Sequence, residues 1–427
     1  MLLNLEVGNF KSFKNNENFS MEANLKDDTL KENIVKISGK NLLKSSLIFG
    51  ANASGKTNLL KSLNYLKNLV LESKTYNEKE KITKEYFKLD NQFYSKKPFH
   101  IKVEFIENKK IYLYEVNLRH EEDNKRYNFI ILKEKLDEDG KNVFDRTKDN
   151  IEINDNFIQK GDEVIKELAK KINKNNLFLS NLSTKDFSGI TSDAFNWFSE
   201  RLIINIDGAF GKAYTKNMIN KDPDFKKFLI KHIKNADLGD IKTIKLKENP
   251  EGLDKGLAEF LKENKDISEE RKEKIVQNHI LEIKTYHPDS SGRQIEFDFN
   301  EEESQGTQNF INYLGPIYDI IKRNRVFFVD ELEQNLHPTL LKYLINILSE
   351  EKTNSQIICA SHCYPLLLYV NSHDESFRRD QIWFTNMRKD NSTELYSLLN
   401  IGGIRKDLKI FKAYFEGRFE AFPDVDE

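Results

Sequence analysis

The segment Gly50-Ala51-Asn52-Ala53-Ser54-Gly55-Lys56-Thr57 follows the pattern G-x-x-x-x-G-K-[ST]. It stands between Ser46-Leu47-Ile48-Phe49, which reads as a strand, and Asn58-Leu59-Leu60-Lys61-Ser62-Leu63, which reads as the start of a helix. A glycine-rich turn in that setting points successive backbone N–H groups into one hollow, and the helix N-terminus adds partial positive charge. Lys56 contributes a full charge for the β- and γ-phosphates, and the Thr57 hydroxyl can take a place on Mg²⁺. The expected ligand is a nucleoside triphosphate, held by Gly50, Asn52, Ser54, Gly55, Lys56, Thr57 and Asn58.

Arg325-Val326-Phe327-Phe328-Val329-Asp330-Glu331 is an apolar run ending in two carboxylates. A parallel strand covered on both faces has this composition, and ligands of α/β sheets sit at such carboxyl ends. Asp330 is placed to hold Mg²⁺ through water, and Glu331 to polarise an attacking water as general base. Beside a P-loop, this pair raises the expectation from binding to hydrolysis.

Two further elements narrow the kind of P-loop enzyme. Glu303-Ser304-Gln305-Gly306-Thr307 opens a helix-periodic run (Phe310, Ile311, Leu314) 26 residues ahead of Asp330. A Ser-x-Gly turn at a helix start is a second anion cradle, too far along the chain to belong to the first. Gln356-Ile357-Ile358-Cys359-Ala360-Ser361-His362 is a strand ending in a polar pair, where the imidazole could sense a γ-phosphate. Each of these is common alone; the order P-loop, Ser-x-Gly turn, Asp-Glu strand, strand-His is specific.

In that order the chain resembles the ABC-type ATPase heads of the SMC, RecF and OLD-like group, and is most similar to compact ATPases of bacterial abortive-infection and other phage-defence systems. Val7-Gly8-Asn9-Phe10-Lys11-Ser12-Phe13 looks like the group's opening strand and turn. The resemblance implies that Ser304 and Gly306 form the signature that reaches the γ-phosphate on another subunit, that Leu336-His337-Pro338 faces the partner's nucleotide, and that His362 is the switch histidine. It extends over the C-terminal stretches Arg379–Phe384, Glu394–Leu398 and Tyr414 to Pro423. Ser-Gln-Gly-Thr in place of the transporter Leu-Ser-Gly-Gly argues against a transporter head, and Cys363 replaces an acidic residue common after the histidine. For the Q-loop, Gln92 and Glu134 are the two positions considered, and the sequence does not choose between them.

The implied fold class is α/β, an ABC-type P-loop ATPase head with an antiparallel β-lobe and a short helical insert. The expected division is 1–70 for the N-terminal head with the P-loop and 71–160 for the β-lobe. A helical and strand part of the head at 161–209, the charged helical insert at 210–280 and the C-terminal head at 281–427 follow. In the lobe, Phe99, Ile101, Val103 and Phe105 alternate with polar residues, Asn108-Lys109-Lys110 turns the chain, and Ile111–Leu118 and Phe129–Leu136 extend the sheet. The insert carries Asp224–Ile233 with apolar residues at helical steps, then Pro250-Glu251-Gly252 and the charged run from Glu269 to Ile275. No sustained heptads appear, so seventy-odd residues folded back make an arm of roughly 50 Å at most.

The chain of 427 residues holds 67 basic against 69 acidic residues, a formal charge of −2, with no overall basic excess to announce nucleic acid. Mean hydropathy is −0.65, and no apolar run approaches the length of a membrane span. No export signal is expected, and two cysteines, Cys359 and Cys363, suit a reducing cytoplasm. The implied mechanism is a head-to-head homodimer, or higher oligomer, closed by ATP and Mg²⁺ and opened by slow hydrolysis. The favoured role is a sensor or regulator ATPase controlling a separate effector protein in phage defence. The alternative is a RecF- or SMC-like DNA-binding ATPase, for which Lys160, Lys166, Lys170, Lys171 and Lys174 are the candidate basic stripe. A third class, a scaffold that binds ATP without turnover, is disfavoured by the intact Asp330-Glu331 pair.

Overall fold

The computed structural model describes residues 1–121, 128–157, 163–182, 189–206, 211–249, 253–264, 267–370, 374–402 and 408–421. Lys160, Phe210, Pro250-Glu251-Gly252 and Phe422-Pro423 lie outside the described residues. The chain folds as two compact units. One comprises Met1–Ile206, Arg323–Leu332 and Ile345–Glu427; the other comprises Asp207–Lys322 and Glu333–Leu344.

In the first unit, a six-stranded sheet runs in the order Leu202–Asn205, Val326–Asp330, Gln356–Ala360, Ser45–Gly50, Ile382–Met387, Thr393–Ser397. All neighbours are parallel except the last pair. Every residue of Ser45–Gly50, Val326–Asp330 and Gln356–Ala360 is buried, which is why these strands read as continuous apolar runs. Their carboxyl ends carry the turn at Gly50, the Asp330-Glu331 pair and the Ser361-His362 pair.

A seven-stranded antiparallel sheet lies in the same unit, in the order Asn150–Ile153, Lys141–Thr147, Phe129–Glu138, Lys110–His120, Phe99–Glu107, Leu2–Gly8, Glu17–Ser20. The lobe therefore takes in two strands from the chain's first twenty residues as well as the stretch 99–153. Asn108 and Lys109 (φ +48° and +65°) alone make the hairpin turn, and Glu107 pairs with Lys110. Such two-residue turns match the right-handed twist of the flanking strands. The helix Lys56–Glu72 buries Leu59, Leu60, Leu63, Leu66 and Val70 in a core shared with both sheets. At roughly 1.5–3 kcal/mol for each buried side chain, this packing fixes the helix. Its first residue, Lys56, follows Gly55, and no side chain caps that end.

Glu134, one of the two Q-loop candidates, is fully buried in this lobe. Its carboxylate accepts from the Tyr114 hydroxyl (2.8 Å) and from the backbone N–H groups of Phe178 (2.7 Å) and Leu179 (2.9 Å), with Arg146 at 3.7 Å. Those three bonds tie its carboxylate into the lobe, so Glu134 is a core anchor. Gln92 is exposed in the short helix Asn91–Tyr94.

His120 closes the strand Lys110–His120, and burial first, then the Lys84 charge, hold its imidazole down at about 4. The folded chain thus takes up that proton less readily than the unfolded chain, whose histidine titrates near 6.5. The stability this contributes, up to about 3 kcal/mol, is full above the unfolded value and lost as pH falls through the window down to the folded one. His120→Phe is expected to flatten the acid limb of the stability curve, read from urea midpoints between about pH 7.5 and 4.

The second unit holds the helices Lys212–Lys221, Pro223–Asn235, Lys255–Glu263 and Glu269–Ile280. Pro223–Asn235 starts as its sequence dictates: the Asp222 carboxylate accepts from Asp224 N–H (3.0 Å) and Phe225 N–H (3.3 Å), and proline takes the first helical position. The helical reading of 210–280 omits the strand Thr243–Glu248, which pairs with Leu281–Pro288, itself paired with Gln294–Asp298. Ile244 and Leu246 alternate with Lys245 and Lys247, a period-two signal lost among long charged helices. This unit also holds Gln305 to Lys322 of the helix Gln305–Arg323, with Phe310, Ile311 and Leu314 buried. Among the described residues, no helix is long and apolar enough to cross a membrane.

Candidate nucleotide site

Gly50 ends the central strand where there is no room for a side chain. A Cβ there would lie 2.3 Å from Thr385 Oγ1 and 2.6 Å from Ser54 Oγ. At Gly55 (φ +111°) a Cβ would lie 2.1 Å from Thr393 Oγ1. The loop between them is pressed onto the strands Ile382–Met387 and Thr393–Ser397 by side-chain bonds. Ser54 and Thr385 share a hydroxyl–hydroxyl bond of 2.6 Å, and the Thr393 hydroxyl donates to the Ser54 carbonyl at 2.8 Å. Asn58 Nδ2 donates to Ser12 Oγ at 2.8 Å, which ties the opening turn to the helix start. Ser54 and Asn58 thus spend their side chains on holding the loop, while Asn52 is exposed.

Gly55→Ala tests this crowding. A left-handed backbone costs about 1–3 kcal/mol for a residue with a Cβ, and overpacking against Thr393 adds about 1–3 more. Denaturant melts are expected to report a loss of about 3 kcal/mol with nucleotide binding abolished.

Lys56 is buried, and its ammonium donates to the carbonyls of Gly50 (2.7 Å) and Ala51 (3.0 Å). The helix it opens has no acidic residue in its first turn to offset the partial positive charge of its N-terminus. The Asp330 carboxylate is buried, and the Thr57 hydroxyl favours its charged form. Burial pushes the Asp330 carboxyl above its ordinary value and the Glu331 charge adds to that, while Thr57, Lys56 and His362 work against it. Glu331 stands just past the strand in a left-handed conformation (φ +52°), its N–H donating to the Ala360 carbonyl at 3.0 Å, and it is exposed. His362 is half-buried; burial lowers its imidazole and Lys56 lowers it further, against the pull of Glu331 and Asp330, so the ring is neutral at pH 7.

The first unit therefore gathers Gly50 to Asn58, Asp330, Glu331 and His362 at neighbouring strand ends. The Thr57–Asp330 pair offers hard oxygen donors of the kind Mg²⁺ takes. Among the described residues no group of three or more His, Cys, Asp or Glu could hold a metal, so the donors fit an ion shared with phosphates, not a protein cage.

Ser304 and Gly306 belong to the other unit. Ser304 Oγ accepts from the Thr307 N–H at 3.1 Å and so starts the helix Gln305–Arg323, while a Cβ on Gly306 would come 3.3 Å from the Asn335 carbonyl. Asn309 Nδ2 donates to the Gln334 carbonyl at 2.8 Å, so within that unit the signature-like turn is bonded to the segment that follows Glu331. Reading by motif missed Thr385 and Thr393; isolated threonines in two strands carry no local signal, and Ser54 and Thr385 are 331 positions apart.

A search of solved structures finds the SMC head domain from Thermotoga maritima at 10% identity, covering 93% of this chain and 98% of that one, with a TM-score of 0.43. An SmcHead bound to the C-winged helix domain of ScpA is 13% identical, with 93% and 97% covered and a TM-score of 0.39. No curated protein matches the chain. A family model described as "AAA domain, putative AbiEii toxin, Type IV TA system" matches residues 45–368. That span takes in the P-loop, Ser304, the Asp330-Glu331 pair and His362, well over half of the sequence, and the chain belongs to this AAA family.

Proposed function

We propose that the chain is an ATP-hydrolysing switch of ABC type that pairs head to head on ATP and regulates a separate effector in an anti-phage abortive-infection system. The observation that carries this reading is the gathering of Lys56, the Thr57–Asp330 pair, Glu331 and His362 in one unit, with Ser304 and Gly306 in the other. The words "AbiEii toxin" and "Type IV TA system" in the family's description support the biological half of it.

ATP is held by the turn 50–57, with Lys56 exchanging its bonds to the Gly50 and Ala51 carbonyls for phosphate oxygens. Thr57 and Asp330 are the residues that would hold Mg²⁺, which would supply neutralisation of the phosphate charge. Ser304 and Gly306 of a second copy close the pocket, so ATP joins two heads. Glu331 takes the proton of the attacking water, and the neutral His362 imidazole hydrogen-bonds at the γ-phosphate. Hydrolysis removes the shared group and releases the pair; turnover is gated by closure and therefore slow.

The DNA-binding alternative gains little from the candidate lysines. Lys166, Lys171 and Lys174, three of the five, pair with Asp155, Glu167 and Asp149 at 3.2, 3.3 and 2.6 Å. Mass photometry of the Glu331→Gln chain with and without Mg-ATP tests the switch: growth from monomer to dimer on ATP is expected, and a monomer under both conditions overturns it. DNA-stimulated hydrolysis would transfer the role to the alternative, whereas toxicity only during infection, dependent on a neighbouring gene, is the expected outcome.

A further inference from the structure

Beyond the strand Gln356–Ala360 the chain turns sharply. Cys363 (φ −79°, ψ +72°) is the centre of an inverse γ-turn in which the Tyr364 N–H donates to the His362 carbonyl at 2.9 Å. The Cys363 N–H donates to Ser361 Oγ at 2.9 Å, which tightens the same turn. Tyr364 then opens the short helical turn Tyr364–Tyr369. Three residues joined this way have little slack, so a displacement of the Tyr364 ring is passed to the His362 backbone.

The Tyr364 ring is held on two sides. Its centroid is 6.5 Å from that of Phe49, the residue before Gly50, and 4.9 Å from that of Tyr414 in the C-terminal helix Ile410–Phe415. Phe415 of that helix meets it edge-on at 6.4 Å. Tyr414 is itself fixed: it stacks on Phe384 at 5.8 Å, and its hydroxyl donates to the Ala421 carbonyl at 3.0 Å. Phe384 in turn stands 6.3 Å from Phe49 and 5.3 Å from Phe419. One aromatic layer thus joins the end of the P-loop strand, the turn carrying His362 and the last helix of the described chain.

We propose that Tyr364 and Tyr414 are positioning residues for His362, so that the C-terminal helix Ile410–Phe415 sets where the imidazole stands relative to Lys56, Asp330 and Glu331. This rests on the reading of His362 as the group that meets the γ-phosphate. It assigns a role to the C-terminal helix: anything that shifts Ile410–Phe415 alters hydrolysis without touching the nucleotide.

The test is a double-mutant cycle on the full chain, with steady-state ATP hydrolysis as readout. Tyr414→Leu is expected to lower kcat about tenfold with KM for ATP within about twofold, and Tyr414→Phe, which keeps the ring, to restore the rate within about twofold. In a His362→Ala chain, Tyr414→Leu is expected to cause no further loss, because its effect runs through the missing imidazole. Equal losses in both backgrounds, or a wild-type rate for Tyr414→Leu, overturn the positioning role. A His362→Ala chain at the wild-type rate overturns the reading of the site and the proposal with it. Amide hydrogen exchange keeps the question open to disproof should Tyr414→Leu not fold. Protection of residues 408–421 is expected to change on Mg-ATP in the wild-type chain and not in His362→Ala, and unchanged exchange in both overturns the coupling.

Discussion

Exchanging Glu331 for glutamine is expected to slow ATP hydrolysis by about 10²–10⁴-fold, the usual contribution of a positioned general base, while ATP affinity stays within about threefold. The separation follows from the geometry. Glu331 lies outside the strand and is exposed, and its backbone N–H bond to the Ala360 carbonyl survives the substitution, so replacing its carboxylate by the isosteric amide is expected to leave the fold and the P-loop in place. The change also acts on Asp330. The Glu331 charge is one of the influences that raise the Asp330 carboxyl, so its removal lets Asp330 ionise more readily and keeps the Thr57–Asp330 donors competent for Mg²⁺. Single-turnover hydrolysis beside equilibrium nucleotide binding reads both effects. Parallel losses in binding and rate would remove Glu331 from the catalytic role.

Lys56→Ala is expected to weaken ATP binding by at least about 100-fold, since charge-assisted bonds to the β- and γ-phosphates are lost from a site that excludes much of the water. The ammonium now bonded to the Gly50 and Ala51 carbonyls is the one full positive charge on the turn itself. Its absence carries a sign that can be checked without nucleotide. Lys56 lowers the His362 imidazole, so in the alanine chain the imidazole moves upward toward its ordinary value. Lys56 also opposes the rise at Asp330, so that carboxyl moves further up and ionises less readily. Imidazole NMR titration of the two chains measures the first shift. An unmoved His362 together with unchanged ATP affinity would place Lys56 away from the site.

The residues proposed to do chemistry are legible in the sequence because that chemistry needs them contiguous. A phosphate cradle requires a strand, a turn free of side chains and a helix start in succession, and all three stand within Ser45–Glu72. A buried parallel strand must be apolar to its end, so Val326–Asp330 announces both its burial and the carboxylate it presents. Elements with non-local partners were harder. Leu2–Gly8 alternates as a strand should, yet that its neighbour across the sheet is Phe99–Glu107 cannot be read from either segment. Thr243–Glu248 has its own alternation, but its partner Leu281–Pro288 lies beyond two helices, and an unpaired strand of that length has no stability of its own. Glu134 illustrates the converse: a charged residue in a strand invites a functional reading, and only its bonds to Tyr114, Phe178 and Leu179 make it an anchor of the lobe.

The sequence by itself determined the P-loop pattern, the ligand class to expect from it and the order of the acidic strand and the histidine, because each is a local pattern with a local physical cause. Only the tertiary structure decided why Gly50 and Gly55 must lack side chains, since Thr385 and Thr393 occupy that space from more than three hundred residues away. It also decided that Asp330 and His362 feel the charges of Lys56, of Glu331 and of each other. It placed Tyr414 against Tyr364, where packing joins residues that no periodicity could connect. Close packing and electrostatics act through space, and the chain's order along its length carries neither until it has folded.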